Sequence, residues 1–173
     1  MPDITTVPSS EIIENWLKNR DIKFSEPKLL KMTDVDEKQS QRNQARAEAI
    51  EKPVAERYVS GMKNGDLFPP IVVYKRGDRY IIVDGNHRYT SSKKVRAKEI
   101  WAYIIDSSTT TSEMIELLTA EANTKHGQPT SNEWRSRQAV YLTNLGHSVG
   151  DVAVALSMTE SSVRQAIREN NGA

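Results

Sequence analysis

Apolar residues recur with a helical period at the start of this chain. Ile12, Ile13, Trp16 and Leu17 fall on one stripe of a helix predicted over residues 11–20. Such a stripe fits a contact with the protein core, and near the end of a chain it also fits a contact between two copies in a homodimer.

Three apolar runs in the middle of the chain predict a small sheet. Ile71–Tyr74 and Tyr80–Val83 are rich in β-branched residues and flank a Gly-containing segment. They predict a hairpin with a turn of about five residues. Glu99–Ile105 predicts a third strand.

Helix-start signals divide the last third of the chain. Thr110 and Thr130 are each followed three residues later by Glu, which is typical of a capping box. Ser148 and Thr159 predict the starts of two further, shorter helices. The resulting fold class is α+β, with a small mixed sheet and its helices followed by an all-α segment.

This pattern predicts three parts. Residues 1–39 form an N-terminal extension with the amphipathic helix, residues 40–109 form the sheet domain, and residues 110–173 form the helical segment. No apolar run is long enough to cross a membrane, so we expect a cytoplasmic protein without a membrane partner.

Composition excludes some chemistry and favours an anionic ligand. The 173 residues carry a net charge of only +1 and include no cysteine, which excludes disulfides, thiol catalysis and Cys-ligated zinc. Residues 40–100 hold thirteen basic and seven acidic side chains. Either this excess solvates the surface or it attracts an anion.

A candidate phosphate site lies where the second strand ends and a helix begins. The first N–H groups of a helix lack internal partners, and glycine lets the backbone approach a ligand closely. The arginine and histidine of this run add donors that suit phosphate. An ordinary Asp-Gly turn is the alternative. The candidate residues are Asp84, Gly85, Asn86, His87 and Arg88.

The segment from Phe68 to Val95 resembles the N-terminal domain of the ParB/sulfiredoxin superfamily. Gly65, Pro70-Ile71, Val73 and the run from Asp84 to Arg88 follow the order and spacing of that family. The resemblance implies that the run from Asp84 to Arg88 is a phosphate cradle for a nucleotide, CTP or ATP with Mg²⁺. It also implies double-stranded DNA as a partner. Sulfiredoxin activity is excluded because its catalytic cysteine is lacking.

The family has a second phosphate and metal segment after the third strand. Here Asn123 takes the place of the family's Asn and His126 that of its Arg, whereas Ala122 replaces a Glu. The resemblance makes Asn123 and His126 candidate nucleotide ligands and Asn123 a candidate Mg²⁺ ligand. A polar helix end is the alternative.

Residues 148–170 have the organisation of a helix-turn-helix. Val152, Leu156, Val163 and Ile167 supply the predicted core, and Ser157 stands at the turn. The second helix would enter the major groove. Its candidate DNA-binding residues are Thr159, Ser161, Ser162, Arg164, Gln165 and Arg168.

Three functions remain open on this sequence. The first is a ParB-like nucleotide- and DNA-binding protein in partition or transcription regulation. The second is an enzyme on the same fold, such as a nuclease, a weak NTPase or an ATP-dependent small-molecule kinase. The third is a DNA-binding regulator with a vestigial nucleotide pocket.

Overall fold

The computed structural model describes residues 7–38, 56–57, 59–64, 67–125 and 130–172. The chain divides into two compact units, Met1–Thr110 and Thr111–Ala173. The first unit contains a sheet and the second is helical, which confirms the α+β class.

The first unit is built on a four-stranded mixed sheet with the order β1-β4-β2-β3. The β1/β4 and β2/β3 pairs are antiparallel, and the β2/β4 pair is parallel. The strands are β1 (Lys28–Lys31), β2 (Ile71–Arg76), β3 (Arg79–Asp84) and β4 (Glu99–Ile105). The helices with described bounds include α1 (Glu11–Asn19), a 3-10 helix at Met32–Asp34 and α2 (Asn86–Lys94), and residues 59–63 are also helical.

The predicted hairpin is confirmed, but its turn is shorter than expected. Strands β2 and β3 extend to Arg76 and Arg79, so only Gly77 and Asp78 lie between them. Gly77 has a φ of 67°, which glycine adopts without a steric penalty. Lys75, Arg76 and Arg79, which we expect in the turn, are instead strand residues at the exposed end of the hairpin, and Asp78 stays in the turn.

Strand β1 belongs to a region that the sequence pattern left unassigned. Lys28–Lys31 pair with β4 and form an edge of the sheet. The predicted division between residues 39 and 40 lies outside the described residues and stays a prediction. Residues 28–31 are nevertheless part of the same sheet as β2 to β4.

Opposite faces of the sheet carry different contacts. One apolar cluster contains Leu30, Ile71, Val73, Tyr89 and Ala102, among others, so α2 packs on that face. Successive strand residues point to opposite faces.

On the other face, Tyr103 bonds to the start of α1. Its hydroxyl donates to Glu14 Oε2 at 2.7 Å and accepts from the Ser10 N–H at 2.8 Å. Ile13 and Leu17 of the predicted helical stripe are buried, whereas Ile12 is 75% exposed, so the stripe is narrower than predicted.

The second unit consists of packed helices in the described part of the chain. They are α3 (Ser112–Lys125), α4 (Asn132–Asn144), α5 (Val149–Leu156) and α6 (Glu160–Asn171). Ser148 and Thr159 cap α5 and α6 as predicted, since their hydroxyls accept from Asp151 and Ser162 N–H groups.

Two capping residues differ from the prediction by one position. The cap of α4 is Ser131 rather than Thr130, and its hydroxyl accepts from the Trp134 N–H. At the start of α3, the Thr111 hydroxyl accepts from the Met114 N–H, so Thr111 replaces Thr110. Adjacent hydroxyl residues are chemically equivalent caps, so the sequence alone does not choose between them.

Candidate nucleotide and DNA sites

The predicted phosphate cradle forms a single turn between β3 and α2. Strand β3 ends at Asp84, and Gly85 is the N-cap of α2 with φ 112° and ψ 23°. Gly85 itself offers no side chain to cap this helix. Asn86 and His87 lie half-buried in that turn. The geometry therefore has the helix start and the glycine that an anion cradle requires.

Gly85 is also required by its contacts inside the fold. A Cβ atom at this position would lie 2.5 Å from Ile71 Cγ2 and 2.9 Å from Ile71 Cβ. Ile71 is fully buried in β2. The glycine thus keeps the turn packed against the sheet, whatever ligand the turn binds.

Arg88 points toward the start of β2. Its Nη2 donates to the Pro70 carbonyl at 3.2 Å and lies 3.8 Å from Asp84 Oδ2. The two side chains are 11% and 10% exposed, and Arg88 Nε has no hydrogen-bond partner within the described structure. Arg88 therefore links α2 to β2 in this structure, and its contact with a phosphate stays a prediction.

The second predicted segment lies at the end of α3. Asn123 is buried, at 8% exposure, and the neighbouring Glu121 is fully buried and paired with Lys125 at 3.2 Å. His126 lies outside the described residues. No group of three or more His, Asp or Glu side chains that could hold a metal occurs in the described ranges.

Helices α5 and α6 are joined by a tight turn. Ser157 has φ 53° and ψ 45°, the left-handed conformation that ends α5. Val152, Leu156 and Val163 are fully buried, as predicted. Ile167 is only half-buried, and Ala166 is buried in its place, because the inward side of α6 is rotated by about one residue.

The candidate DNA-binding side chains lie on the outer side of α6 and in its cap. Two of them contact acidic side chains one turn away on the same helix. Arg164 Nη2 lies 3.5 Å from Glu160 Oε2, and Gln165 Nε2 donates to Glu169 Oε1 at 2.9 Å. All six candidates are exposed: Thr159, Ser161, Ser162, Arg164, Gln165 and Arg168.

The structure contains a polar groove beside α6 that the sequence pattern does not predict. It has a volume of about 520 Å³ and is lined by both α4 and α6. Thr159, Ser162 and Gln165 belong to its lining, and α4 contributes Asn132 and Arg135. Sequence spacing shows which residues share one helix face, but not which face of another helix lies beside it.

No helix in the described ranges is long and apolar enough to cross a membrane.

Comparison with known proteins supports the fold and identifies the family. The chain resembles the C-terminally truncated chromosome-partitioning protein ParB from Caulobacter crescentus, solved with the centromeric parS site, at 14% identity and a TM-score of 0.58, over 82% of this chain and 70% of that one. It also resembles a Pnob8-like ParB-N domain at 14% identity and a TM-score of 0.59, over 86% and 70% of the two chains.

Curated protein sequences include no significant match to this chain. The family model described as the ParB N-terminal domain matches residues 2–121. This range contains β1, the Gly85 turn and most of α3, and it extends the resemblance seen in the sequence toward the N-terminus. The chain therefore belongs to the ParB N-terminal domain family.

Proposed function

We propose that this chain is a ParB-like DNA-binding protein that reads double-stranded DNA through α6 and acts in DNA partition or transcription regulation. The observation that carries the proposal is the outer side of α6. Polar side chains cover it, while Val163 and Ala166 bury the opposite side. In a helix-turn-helix the second helix enters the major groove in this way.

Chemistry assigns different roles to the exposed residues of α6. Thr159 and Ser162 lie at the helix start, where hydroxyl groups suit phosphate oxygens. Arg164 and Arg168 lie one turn apart and suit the phosphate rows of the duplex. Gln165 is the candidate for reading a base edge, because a glutamine amide can pair with adenine.

The related ParB of Caulobacter crescentus was solved on its centromeric site. For the present chain, a selection from a random library of duplexes tests the proposal. We expect enrichment of a defined site and an affinity that falls as salt rises, since phosphate contacts release counterions. Recovery of random sequences only would contradict sequence-specific binding.

The nucleotide part of the proposal rests on the turn at Gly85. Asp84, Gly85, Asn86, His87 and Arg88 would hold the phosphates, with CTP as the nucleotide that the resemblance implies and ATP as the alternative. The left-handed Gly85 at the N-terminus of α2 supports this role. Asn123 and His126 are the further candidates, with Asn123 as the ligand that would hold Mg²⁺ through its side-chain oxygen.

One observation favours a second candidate, a DNA-binding regulator that binds no nucleotide. The Arg88 guanidinium is already bonded to the Pro70 carbonyl and lies near Asp84. A phosphate would have to compete with these protein acceptors.

Calorimetric titration with CTP, ATP and GTP, each with Mg²⁺ and with or without DNA, separates these candidates. Saturable binding of CTP supports a nucleotide site, and heat from none of the three supports the second candidate. If Arg88 contacts a phosphate, Arg88→Ala should lower nucleotide affinity by about 10- to 150-fold. Lys94→Ala, an exposed charge change on the same helix, should leave that affinity nearly unchanged.

Arg88 also bonds to the Pro70 carbonyl at the start of β2, so its substitution can destabilise the fold. Thermal unfolding of each variant is therefore measured together with its nucleotide affinity. Arg88→Lys keeps the charge and a donor for the Pro70 carbonyl, so it separates loss of binding from loss of folding.

A further inference from the structure

The groove between α4 and α6 has the lining of an anion site. Its described walls carry hydroxyl and amide groups from both helices and one cation, Arg135. The carboxylate of Glu169 also belongs to the lining, and Glu169 accepts a hydrogen bond from Gln165. The described ion pairs include none between Arg135 and Glu169.

Arg135 has donor capacity that the described protein atoms do not use. Its Nη2 donates to the side-chain oxygen of Asn132, one turn earlier on α4. Its Nε is shielded from solvent and has no hydrogen-bond partner within the described structure. A buried donor without an acceptor is unfavourable, and an anionic oxygen is the acceptor that arginine binds best.

The hydroxyls on the facing side suit the same ligand. Thr159 caps α6, and its hydroxyl donates to Ser162 Oγ at 2.9 Å, so the Ser162 hydroxyl is the donor of this pair that faces a ligand. Both residues line the groove, together with Ser136 of α4. The hydroxyl donors of Ser162 and Ser136 beside an arginine match the oxygens of a phosphate group, whereas an apolar ligand would leave these two hydroxyls unpaired.

We propose that this groove seats one phosphate of the DNA backbone, with Arg135 as its cation. The inference rests on the proposed DNA-binding function, because the groove adjoins the outer side of α6. It extends the proposed DNA interface to α4, a helix that carries none of the six candidate DNA-binding residues predicted from the sequence. A contact of this kind fixes the register of α6 on the duplex and carries no sequence preference.

The test compares two arginines of α4 that differ in their surroundings. Arg135→Ala should lower affinity for a fluorescein-labelled duplex of random sequence by about tenfold and reduce the salt slope by about one. Arg137→Ala removes the same charge from the same helix. Arg137 is 65% exposed, does not line the groove and pairs with Glu133 at 2.7 Å, so its loss should change both quantities little.

Anisotropy titrations over a series of salt concentrations give both quantities. Equal effects of the two substitutions would overturn the inference, because general electrostatics would then explain them. If Arg135→Ala unfolds, Arg135→Gln keeps a donor for Asn132 and removes the charge.

Binding of duplex by the parental protein tests the proposed function separately. A parental protein that binds no duplex overturns both the proposed function and the proposed phosphate site in the groove. If the parental protein binds duplex and the Arg135 variants bind it equally well, only the proposed phosphate site in the groove is overturned.

Discussion

Gly85 combines two constraints that glycine alone satisfies. Its φ of 112° is strained for any L side chain, and a Cβ atom would collide with the buried Ile71. Gly85→Ala should therefore lower the free energy of unfolding by about 2 kcal/mol or more, by strain and overpacking together. Denaturant unfolding followed by circular dichroism measures this change.

Gly146 provides the matched control for that substitution. It has a φ of 104°, but a Cβ atom there would meet nothing within 4 Å. Gly146→Ala should cost only the backbone strain, and the difference between the two variants measures the contacts of the added Cβ with Ile71 and with Arg88 Nη2, which would lie 3.0 Å away. Equal costs would mean that the Gly85 turn is not packed as described.

A consequence for the nucleotide site follows from the same contact. A larger side chain such as valine at position 85 would disturb the sheet as well as any ligand. Loss of nucleotide binding in Gly85→Val would therefore not by itself identify the cradle. Substitutions at Arg88, checked for folding, are the better probe.

Tyr103 gives the first unit a defined response to alkaline pH. Burial, followed by its hydrogen bond to Glu14, raises the pKa of Tyr103 from 10.0 to about 12. A Tyr whose pKa is higher in the folded state stabilises the fold below pH 10, and that stabilisation is lost as pH rises toward 12.

Tyr103→Phe should therefore be less stable than the parent at neutral pH, by about 1 kcal/mol for the lost hydrogen bonds. The difference in the free energy of unfolding between the two proteins should shrink between pH 10 and pH 12. Only the parent must then ionise a buried phenol beside Glu14. Urea unfolding of both proteins across this window measures this difference. A difference independent of pH would contradict the described contacts.

At the scale of elements, the turn between α5 and α6 is one of the described places where a residue other than glycine has a positive φ. Ser157 adopts a left-handed conformation that is unfavourable for residues with a Cβ atom. Ser157→Gly should raise the free energy of unfolding by about 0.5–1 kcal/mol, since glycine suits this position at a helix end.

A serine-to-glycine substitution inside α4 should instead lower the free energy of unfolding. Ser136 lies in the helix interior, where glycine is less favourable than serine by about 0.5 kcal/mol. Thermal unfolding of Ser157→Gly and Ser136→Gly gives both values. Destabilisation by both would mean that the turn at Ser157 is not left-handed.

Local patterns predicted most elements correctly where one periodicity dominates. The third strand was predicted as Glu99–Ile105, which is the observed range of β4. Strand β1 was not predicted, because only Leu30 of its four residues is buried and lysines occupy both ends. Such an edge strand has no alternation long enough to recognise.

The candidate site was predictable as a sequence run but not in its contacts. The run from Asp84 to Arg88 lies at the expected junction of strand and helix. The direction of Arg88 depends on Pro70, eighteen residues earlier, and the groove at Arg135 depends on how α4 packs against α6. Both are tertiary contacts, which spacing along the chain does not encode.

On the scale of the whole molecule, charge is distributed unevenly. Residues 40–100 carry thirteen basic and seven acidic side chains, whereas residues 131–173 carry four of each. A neutral helical segment binds phosphate weakly by itself. We therefore expect the basic middle segment, or a second copy of the chain, to contribute to DNA affinity.

We assign sequence readout to one side chain of the second unit. Gln165 is exposed, and its amide nitrogen is already bonded to Glu169. Its side-chain oxygen and its second amide N–H are the acceptor and donor that we expect to pair with adenine. Arg168, in contrast, should contribute about equally to binding of every sequence.

The most direct test is a scan of single base-pair substitutions in the selected duplex, with affinities measured for the parent and for Gln165→Ala. The parent should prefer a defined base pair at each contacted position. Gln165→Ala should lose about 1–3 kcal/mol of that preference at a single base pair. Gln138→Ala, an amide substitution on α4, should leave the whole profile unchanged. Identical profiles for the parent and Gln165→Ala would contradict the claim that α6 reads DNA sequence.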